Sequence, residues 1–394
     1  MVVRLRVLAG GIASLLLALG VARFSYTPLL PLMQEQAGLG VFAAGALAAV
    51  NYAGYLAGAL LAALLHDQEL KYRLYRLGMV VSVLSTVVMA LTTDDVLWAV
   101  SRFFAGLGSA AGMLLGTGLV LNWLIRHDHR SELGIHFAGI GLGIAGSAVL
   151  VELLTPALDW RAQWYVFTAV GVLLLVPALR WVPPPAPAAH THTRSGVAMV
   201  DRPPTRVFVL MFVAAYFCAG VAYVIGATFI VTIVEHLPGL DGRGNLAFLV
   251  IGIGAAPASI VWDLVARRLG DLPALTAAAV LQIVGILLPV LAGGLGWTLL
   301  GALLFGGTFV GMVSLVLTMA GRFYPTRPAR MMGTMTLSYG VAQIIAPTVT
   351  GALATRFDGY AVGLYLAAGA LAIGVVLLAV LTRLERRGQQ PAQA

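Results

Sequence analysis

Residues 4–33 read RLRVLAGGIASLLLALGVARFSYTPLLPLM, which is two arginines followed by an apolar stretch that continues from residue 8 to residue 33. A bilayer core about 30 Å thick is crossed by roughly 20 helical residues, so this stretch is long enough to span a membrane. Arg4 and Arg6 before an apolar run also fit a cleavable secretory signal. Because the apolar character resumes after Arg23 for another turn or more, we interpret the stretch as a full membrane span.

Stretches of this kind recur along the chain, in which 60% of 394 residues are apolar and 10% are charged. Such a balance does not suit a water-soluble surface. We count twelve stretches near membrane-spanning length, approximately residues 8–33, 41–65, 75–93, 96–122, 133–157, 161–182, 207–234, 246–266, 273–294, 297–321, 331–354 and 360–382. The sequence therefore predicts an all-α polytopic membrane protein with twelve transmembrane helices and both termini on one side.

The basic residues predict which side faces the cytoplasm, because short loops rich in Lys and Arg stay there. Of the 24 Lys and Arg residues, 19 fall in alternate gaps between stretches: Arg4, Arg6, Lys71, Arg73, Arg76, Arg126, Arg130, Arg180, Arg194, Arg202, Arg206, Arg267, Arg268, Arg322, Arg327, Arg330, Arg383, Arg386 and Arg387. The other gaps hold Arg161, Arg243 and Arg356. We expect a plasma (inner) membrane protein with cytoplasmic termini. The net charge of +8 is scattered over loops and does not indicate a nucleic-acid partner.

A polar segment divides the chain into two sets of six spans. Residues 183–205 hold Pro183, Pro184, Pro185, Pro187, Pro203 and Pro204. We expect bundles at 1–182 and 206–394 with a short cytoplasmic tail, joined by a cytoplasmic linker at 183–205. His190 and His192 in this linker are interpreted as polar linker residues, since two ligands without acidic or cysteine neighbours make a poor metal site. The single cysteine, Cys218, excludes an intramolecular disulfide.

The two halves show related glycine patterns about 200 residues apart. The fourth and tenth spans carry Gly106, Gly108, Gly306 and Gly307, and the fifth and eleventh carry Gly139, Gly141, Gly143, Gly146, Gly333, Gly340 and Gly351. Small residues at such spacing allow close helix packing. Packing is the first interpretation, and sliding surfaces in a rocking motion are a second. Transporters place their substrate site between repeats of this kind.

Several motifs resemble the major facilitator superfamily over essentially the whole chain. Residues 102–108, RFFAGLG, look like the Arg-x-x-x-Gly element of its fourth span, and Trp160-Arg161 opens the sixth span. Residues 23–31, RFSYTPLLP, and 51–55, NYAGY, resemble the YbfB/YjiJ-type branch. The resemblance implies two six-helix pseudo-repeats in the major facilitator fold and a transporter, but no particular substrate.

One loop departs from the superfamily pattern. Members carry a Gly-x-x-x-Asp-Arg-x-Gly-Arg-type loop after the second span, whereas Gly58 is followed here by Asp67 and Lys71 without the loop glycine. The loop after span eight is closer to the pattern. There Asp263 and Arg267 lie four residues apart on one helix face, where an ion pair is expected. It acts either as a latch of the inward gate or as a helix-end salt bridge without a gating role.

Three charged residues lie inside spans, where charge in hydrocarbon costs at least about 2.5 kcal/mol. The deepest is Arg23, roughly 15 Å from the outer end of span one. With Tyr26, Asn51 and Tyr55 it predicts a pocket for a carboxylate or similar anion, with the guanidinium as a fork donor. The alternative is that Arg23 only caps carbonyls of its own helix, freed by Pro28 and Pro31.

Arg102 and Glu152 are the other two, both expected roughly 8 Å below the outer surface. An apolar setting favours the neutral form of a carboxyl group, and a neighbouring arginine favours its charged form. We therefore predict that Glu152 carries a coupling proton and that Arg102 switches it between states. A permanent Arg102–Glu152 pair that neutralises both charges is the alternative.

The second half offers polar residues for the other wall of a cavity, namely Tyr216, Tyr223, Thr228, Gln282, Tyr339 and Gln343. Among these, Tyr223 and Gln343 are expected to line it, although tyrosines near span ends often anchor at the interface. His136 begins span five and is expected at the cytoplasmic edge.

Together these features predict a secondary active transporter of a small organic solute that works by alternating access. Proton coupling is expected, and an organic anion is the favoured substrate because Arg23 is positive. The alternatives are a proton-driven exporter of lipophilic drugs or amphiphiles and a membrane-embedded assembly factor or lipid-handling protein without transport. No nucleotide-binding glycine loop appears in the sequence, and Asp94-Asp95 is interpreted as a solvated turn. Neither an enzyme nor a cofactor or metal is therefore indicated; the expected partners are substrate, protons and the bilayer.

Overall fold

The protein is helical throughout its spans. The computed structural model describes residues 2–129, 133–185, 195, 198–236, 244–292, 294–357 and 361–389. Span one consists of Val2–Leu15, a π-helical segment Leu16–Phe24, and Tyr26–Ala37; span four consists of Asp95–Ala110, a π-helical segment Ala111–Gly116, and Thr117–Arg126. The other spans are Val41–Leu64, Gln68–Leu91, Gly134–Leu154, Trp160–Trp181, Arg206–His236, Gly244–Leu269, Asp271–Leu291, Gly294–Phe323, Ala329–Phe357 and Ala361–Gln389.

These helices confirm the predicted all-α architecture of twelve spans in two halves of six. Eleven helices in the described part are long and apolar enough to cross a membrane. The helix Ala329–Phe357 occupies the position predicted for span eleven. Of the residues discussed above, Arg130, His190, His192, Arg194 and Arg243 lie outside the described residues, as do the side chains of Thr228 and Arg356.

Glycines allow the spans within each half to approach closely, as predicted. A Cβ atom at Gly106 of span four would overlap the backbone of Asn51 and Tyr55 in span two. In the second half, a Cβ atom at Gly306 of span ten would overlap the backbone of Ile251 in span eight. The same contact between equivalent spans, 200 residues apart, is what two related six-helix units produce.

The two halves meet along two seams. Spans five and eight form the first, where Gly141 lies against the backbone of Ala256 and Gly252 lies against Ala145. Spans two and eleven form the second, where Gly333 packs on the backbone of Ala59 and Ala63. Small residues on both seams bring the backbones together, as in other helix pairs in membranes.

The end of the bundle that carries Lys71, Arg126, Arg267, Arg322 and Arg327 is here termed the basic face, and the end that carries Asp94, Asp95 and Asp159 the opposite face. At the basic face the halves are linked by polar contacts. The side-chain amide of Asn122 donates to the carbonyl of Pro325 at 3.0 Å. Asp201, before span seven, accepts from Thr326 and forms an ion pair with Arg327 at 3.4 Å.

Lys71 is an unusual residue at this junction, because it is 2% exposed. Within the described part of the chain its ammonium group has no hydrogen-bond partner. Its charged neighbours are the guanidinium groups of Arg327 and Arg330, which belong to the second half. A buried donor without a partner is unfavourable, and like charges repel more strongly away from water. Closing the basic face therefore buries an uncompensated positive charge.

We expect Lys71→Met to raise the melting temperature of the purified protein, because leaving a buried donor unpaired costs roughly 1–3 kcal/mol and a thioether has no such need. Thermal unfolding in detergent measures this. The control is Arg73→Met on the same helix, whose side chain is 74% exposed, and which we expect to change little. A melting temperature of Lys71→Met at or below that of the wild type would contradict the interpretation.

Candidate functional site

A cavity of about 60 Å³ lies between the two halves. Spans one, two, four and five form its first-half wall, and spans seven, ten and eleven its second-half wall. Its lining residues are Leu19, Arg23, Phe24, Tyr55, Met113, Ile140, Tyr216, Tyr223, Phe309, Val313, Leu317, Thr336, Tyr339 and Gln343. Among these described residues Arg23 alone carries a formal charge, and none is a carboxylate.

Arg23 is held in the first-half wall by aromatic rings. Its guanidinium carbon lies 4.7 Å from the ring centroid of Tyr52 and 4.7 Å from that of Tyr55. The ring of Phe24 is 5.7 Å away. Aromatic faces stabilise a desolvated cation without using its N–H groups as donors. The charge is thus partly compensated while the guanidinium keeps its capacity for a fork pair with an anion.

The helix that carries Arg23 is broken at this depth. Residues Leu16–Phe24 form a π-helical turn, in which the N–H of Ser25 donates to the carbonyl of Gly20 at 3.0 Å. Pro28 has no N–H for the carbonyl four residues before it, and Pro31 lies inside the following segment. The widened turn precedes the two prolines.

Arg102 of span four binds carbonyls at the end of this π-helical segment. Its guanidinium donates to the carbonyl of Ala22 at 2.9 Å and to that of Arg23 at 3.5 Å. Its carbon lies 4.5 Å from the ring centroid of Tyr26. Arg102 is buried, with 3% of its surface exposed. Its guanidinium binds the backbone of span one behind the cavity. The role considered for Arg23, capping carbonyls of span one, is thus performed by Arg102.

The second-half wall is aromatic. The rings of Tyr216 and Tyr339 stack with centroids 4.7 Å apart. Tyr223 lies 5.5 Å from Tyr339 and 5.0 Å from Phe309. These four residues, Tyr216, Tyr223, Phe309 and Tyr339, all line the cavity and are here termed the aromatic wall. Phe305 supports it from behind, 5.5 Å from Phe309.

Gln343 adds an amide to the second-half wall. It is 5% exposed, and its side-chain oxygen has no hydrogen-bond partner in the described part of the chain. Buried polar atoms are paired in the great majority of cases, so an unpaired amide at a cavity indicates a place for a ligand or water. Gln343 therefore presents unused hydrogen-bonding capacity to the cavity.

The structure brings together four of the six residues predicted to bind substrate: Arg23, Tyr55, Tyr223 and Gln343 line one cavity. For the other two the prediction of cavity lining is wrong. Tyr26 donates to the carbonyl of Ala44 at 3.0 Å, and Asn51 donates to the carbonyl of Arg102 at 2.8 Å. Each side chain bonds to the backbone of another span, so both residues serve helix packing.

Contrary to the prediction, Arg102 and Glu152 are not neighbours in the structure. In the described residues Arg102 contacts the backbone of span one, whereas Glu152 is exposed and accepts from the side chain of Asn245 at 2.8 Å. The two residues were expected at a similar depth, but their side chains contact different spans and do not meet. Glu152 instead connects span five to span eight near the opposite face.

Asp263 reaches across the seam at the basic face. Its carboxylate accepts from the backbone N–H of Gly134, the first residue of span five. A carboxylate at a helix N-terminus is stabilised by the free N–H groups and the helix dipole. Arg267 lies one turn further along and lines the same crevice of about 200 Å³ as Asp263. Asp263 thus joins the two halves directly.

Two further polar residues lie away from the cavity. His136, in the first turn of span five, is fully buried, with its Nε2 atom 2.8 Å from the hydroxyl of Thr117. Gln282 is also buried, and neither atom of its amide has a partner among the described residues. A search of the described residues found no cluster of three potential metal ligands.

Sequence reasoning missed Tyr52, Phe309 and Thr336. Tyr52 and Tyr55 are three residues apart and so share a helix face, as do Phe305 and Phe309 at a spacing of four. That spacing was visible in the sequence. The spacing alone did not identify a cavity wall, because aromatic pairs at helical spacing occur equally in ordinary packing.

Twelve spans in two halves around a central, partly polar cavity define a membrane transporter of the major facilitator type. The chain belongs to the family described as "Uncharacterised MFS-type transporter YbfB", whose model matches residues 15–379. The expected resemblance is confirmed over most of the chain. Its family and fold are those of transporters.

The curated relatives are transporters, and one of them is described as an inner membrane protein. The inner membrane transport protein YdhP of Escherichia coli (strain K12) is 24% identical over 185 residues, 47% of this chain and 48% of the relative. The transporter YebQ of the same strain is 24% identical over 112 residues, 28% of this chain and 24% of the relative. The chain thus covers about half of YdhP. It is a multi-pass membrane protein similar to inner-membrane transporters.

Solved structures show the same fold. The human organic anion transporter MFSD10 (TETRAN) is 17% identical with a TM-score of 0.67, covering 95% of this chain and 99% of that chain. The E. coli fucose:proton symporter FucP is 14% identical with a TM-score of 0.68, covering 95% and 98%. At these identities the likeness concerns the fold alone.

We expect Arg102→Gln to lower the melting temperature more than Arg23→Gln. The first change leaves two freed carbonyls of span one without a charged donor, a loss of roughly 1.5–3 kcal/mol for each good hydrogen bond. The second removes a charge from a cavity and leaves no backbone group unpaired. Thermal unfolding of the two variants beside the wild type measures the difference. A larger loss for Arg23→Gln would show that Arg23, and not Arg102, supports the broken helix.

Proposed function

We propose that the protein is a secondary active transporter of a small organic anion, working by alternating access across the inner membrane with its basic face and both termini in the cytoplasm. The observation that carries the proposal is Arg23, a lone charged group lining the described part of the central cavity. An ionisable residue inside a membrane protein is a functional candidate by default, because its burial is unfavourable.

The balance of charge around the cavity favours an anion over a neutral or cationic solute. Neither Arg23 nor Arg102 forms an ion pair with a carboxylate in the described part of the chain. Arg102 is engaged by carbonyl groups, so the unmatched positive potential is available at Arg23. A carboxylate in the cavity would supply the missing counter-charge and accept two N–H groups from one guanidinium.

The contacts between the halves support alternating access. A cavity of about 60 Å³ is well below the roughly 300–1,000 Å³ of typical small-molecule pockets. Substrate entry therefore requires the halves to separate at one face. Asp263 with Gly134 would hold the basic face closed, and Glu152 with Asn245 would hold the opposite face closed. In this proposal Asp263 is a gate residue, and Arg267 beside it helps to shape the gate.

Two transporters of similar fold agree with parts of this proposal. MFSD10 is an organic anion transporter, and FucP is a proton symporter. We propose proton coupling here through Glu152, which bridges the two halves near the opposite face. Protonation would remove the charge from its hydrogen bond to Asn245 and so weaken that closure. In this form of the hypothesis Arg102 has a structural role and does not exchange partners with Glu152.

The exporter alternative requires a large apolar cavity and tolerance to loss of Arg23. The observed cavity has the cation Arg23 in its lining, which favours the anion transporter. The assembly-factor or lipid-handling alternative requires no closed central cavity. The two polar contacts that close opposite ends of the same seam have no evident use in such a protein.

We expect organic anions to raise the melting temperature of the wild type and not of Arg23→Gln. A ligand at about 100 times its dissociation constant adds roughly 2.7 kcal/mol to the state that binds it. The measurement is thermal unfolding against succinate, benzoate and gluconate, with fucose as the neutral solute and tetraphenylphosphonium as the cationic amphiphile. Arg161→Gln, which removes an exposed arginine at the opposite face, is the control and is expected to respond as the wild type does. Stabilisation by the cation or the sugar alone, equal in all three proteins, would overturn the anion proposal.

We expect Glu152→Gln to abolish proton-driven accumulation of a stabilising anion in proteoliposomes while sparing counterflow, since an amide keeps the size of the side chain but cannot exchange a proton. Uptake of the labelled anion with and without an imposed pH gradient measures this. Glu35→Gln, at another exposed carboxylate near the opposite face, is the matched control. Accumulation unchanged in Glu152→Gln would remove Glu152 from the coupling mechanism.

A further inference from the structure

The two walls of the cavity differ in chemistry. The first-half wall presents the guanidinium of Arg23. The second-half wall presents the rings of Tyr216, Tyr223, Phe309 and Tyr339, each pair of neighbours in contact at 4.7–5.5 Å. A solute that fills the space between them must offer an anionic end to one wall and a body to the other. The composition of the aromatic wall therefore indicates the chemical class of the body of the solute.

The surface around the cavity is largely apolar. Half of the fourteen lining residues have apolar side chains, and the tyrosines add their ring faces to that surface. A polyhydroxylated body would lose its water without gaining enough partners, and unpaired polar groups in a closed site are heavily penalised.

A flat aromatic ring suits the aromatic wall better than a polyhydroxylated body does. Aromatic pairs prefer stacked or edge-to-face arrangements with centroids 4.5–7 Å apart, and they gain stability beyond the area that they bury. The wall already contains stacked and tilted pairs at these distances, so another ring continues an existing arrangement. A saturated ring of the same size would bury a similar area without this additional gain.

The number of polar groups limits the charge of the solute. One guanidinium pairs with one carboxylate, and the side-chain oxygen of Gln343 has no partner among the described residues. A side-chain amide is neutral and offers an acceptor oxygen and an NH2 donor, so it suits a neutral polar substituent. A second carboxylate would have no cation to meet it among the described lining residues.

We propose that the cavity takes an aromatic monocarboxylate, its carboxylate on Arg23, its ring against the aromatic wall and any neutral polar substituent at Gln343. This inference rests on the proposed function and names the substrate class of the same site. It excludes sugars, sugar acids and dicarboxylates as preferred substrates.

The test is isothermal titration of the purified full chain with four probes: trans-cinnamate, cyclohexanecarboxylate, gluconate and benzyl alcohol. Cinnamate and cyclohexanecarboxylate share the charge and differ in the π-system, whereas benzyl alcohol keeps the ring and lacks the charge. We expect cinnamate to bind roughly five- to tenfold more tightly than cyclohexanecarboxylate. Gluconate and benzyl alcohol are expected to bind more weakly than both.

Variants assign the effect to the two walls. Phe309→Leu keeps an apolar side chain and removes a ring, so we expect it to reduce the preference for cinnamate over cyclohexanecarboxylate to within about twofold. Phe208→Leu removes a ring that packs on Phe212 and Phe323 away from the cavity, and the preference is expected to persist. Arg23→Gln is expected to weaken both carboxylates.

The outcomes separate this inference from the proposed function. Gluconate binding that depends on Arg23, with cinnamate no better than cyclohexanecarboxylate, would overturn the aromatic class and leave the anion transporter in place. Benzyl alcohol binding as tightly as cinnamate, unaffected by Arg23→Gln, would overturn both. The absence of binding by both carboxylates would also overturn the inference, because cinnamate is a simple member of the proposed class.

Discussion

Two hydrogen bonds from Arg102 to the carbonyls of Ala22 and Arg23 are the interaction on which the rest of the site depends. Inside a bilayer no water is present to satisfy a broken helix, so every freed carbonyl needs a donor from the protein. Span one departs from regular α-helical geometry in the π-helical segment Leu16–Phe24, and Arg102 binds two carbonyls at the end of that segment. Because the turn is held in place, Arg23 projects into the cavity at a fixed position.

The glycines of the bundle make this arrangement sterically feasible. Gly106 lies four residues after Arg102, and its lack of a side chain brings span four against the backbone of span two. That approach allows Asn51 to bond to the carbonyl of Arg102 and places Tyr55 beside Arg23. The Arg-x-x-x-Gly element thus acts as one unit, in which the glycine sets the distance and the arginine satisfies the neighbouring helix.

The two halves contribute different chemical groups to the site. The first half supplies a charge supported by rings, and the second half supplies rings with one unpaired amide. Neither half alone forms a site. A solute that contacts both walls links its binding to the relative position of the halves, and that dependence is the physical requirement for alternating access. Lys71, which has no hydrogen-bond partner among the described residues, disfavours closure of the basic face. Closure buries its charge close to those of Arg327 and Arg330.

The sequence by itself determined the class of structure, because twelve apolar stretches and alternating basic gaps reflect the cost of placing charge and bare backbone in hydrocarbon. It also marked Arg23, Tyr55, Tyr223 and Gln343, since polar groups inside spans are rare and few arrangements accommodate them. Only the tertiary structure decided which way each side chain points around its helix. Depth along a span follows from counting residues at 1.5 Å each, whereas direction depends on how the broken first span is rotated and which neighbours it meets. For that reason Tyr26 and Asn51 were wrongly placed in the cavity, Arg102 was wrongly placed beside Glu152, and the aromatic wall became apparent only once spans seven, ten and eleven were packed together.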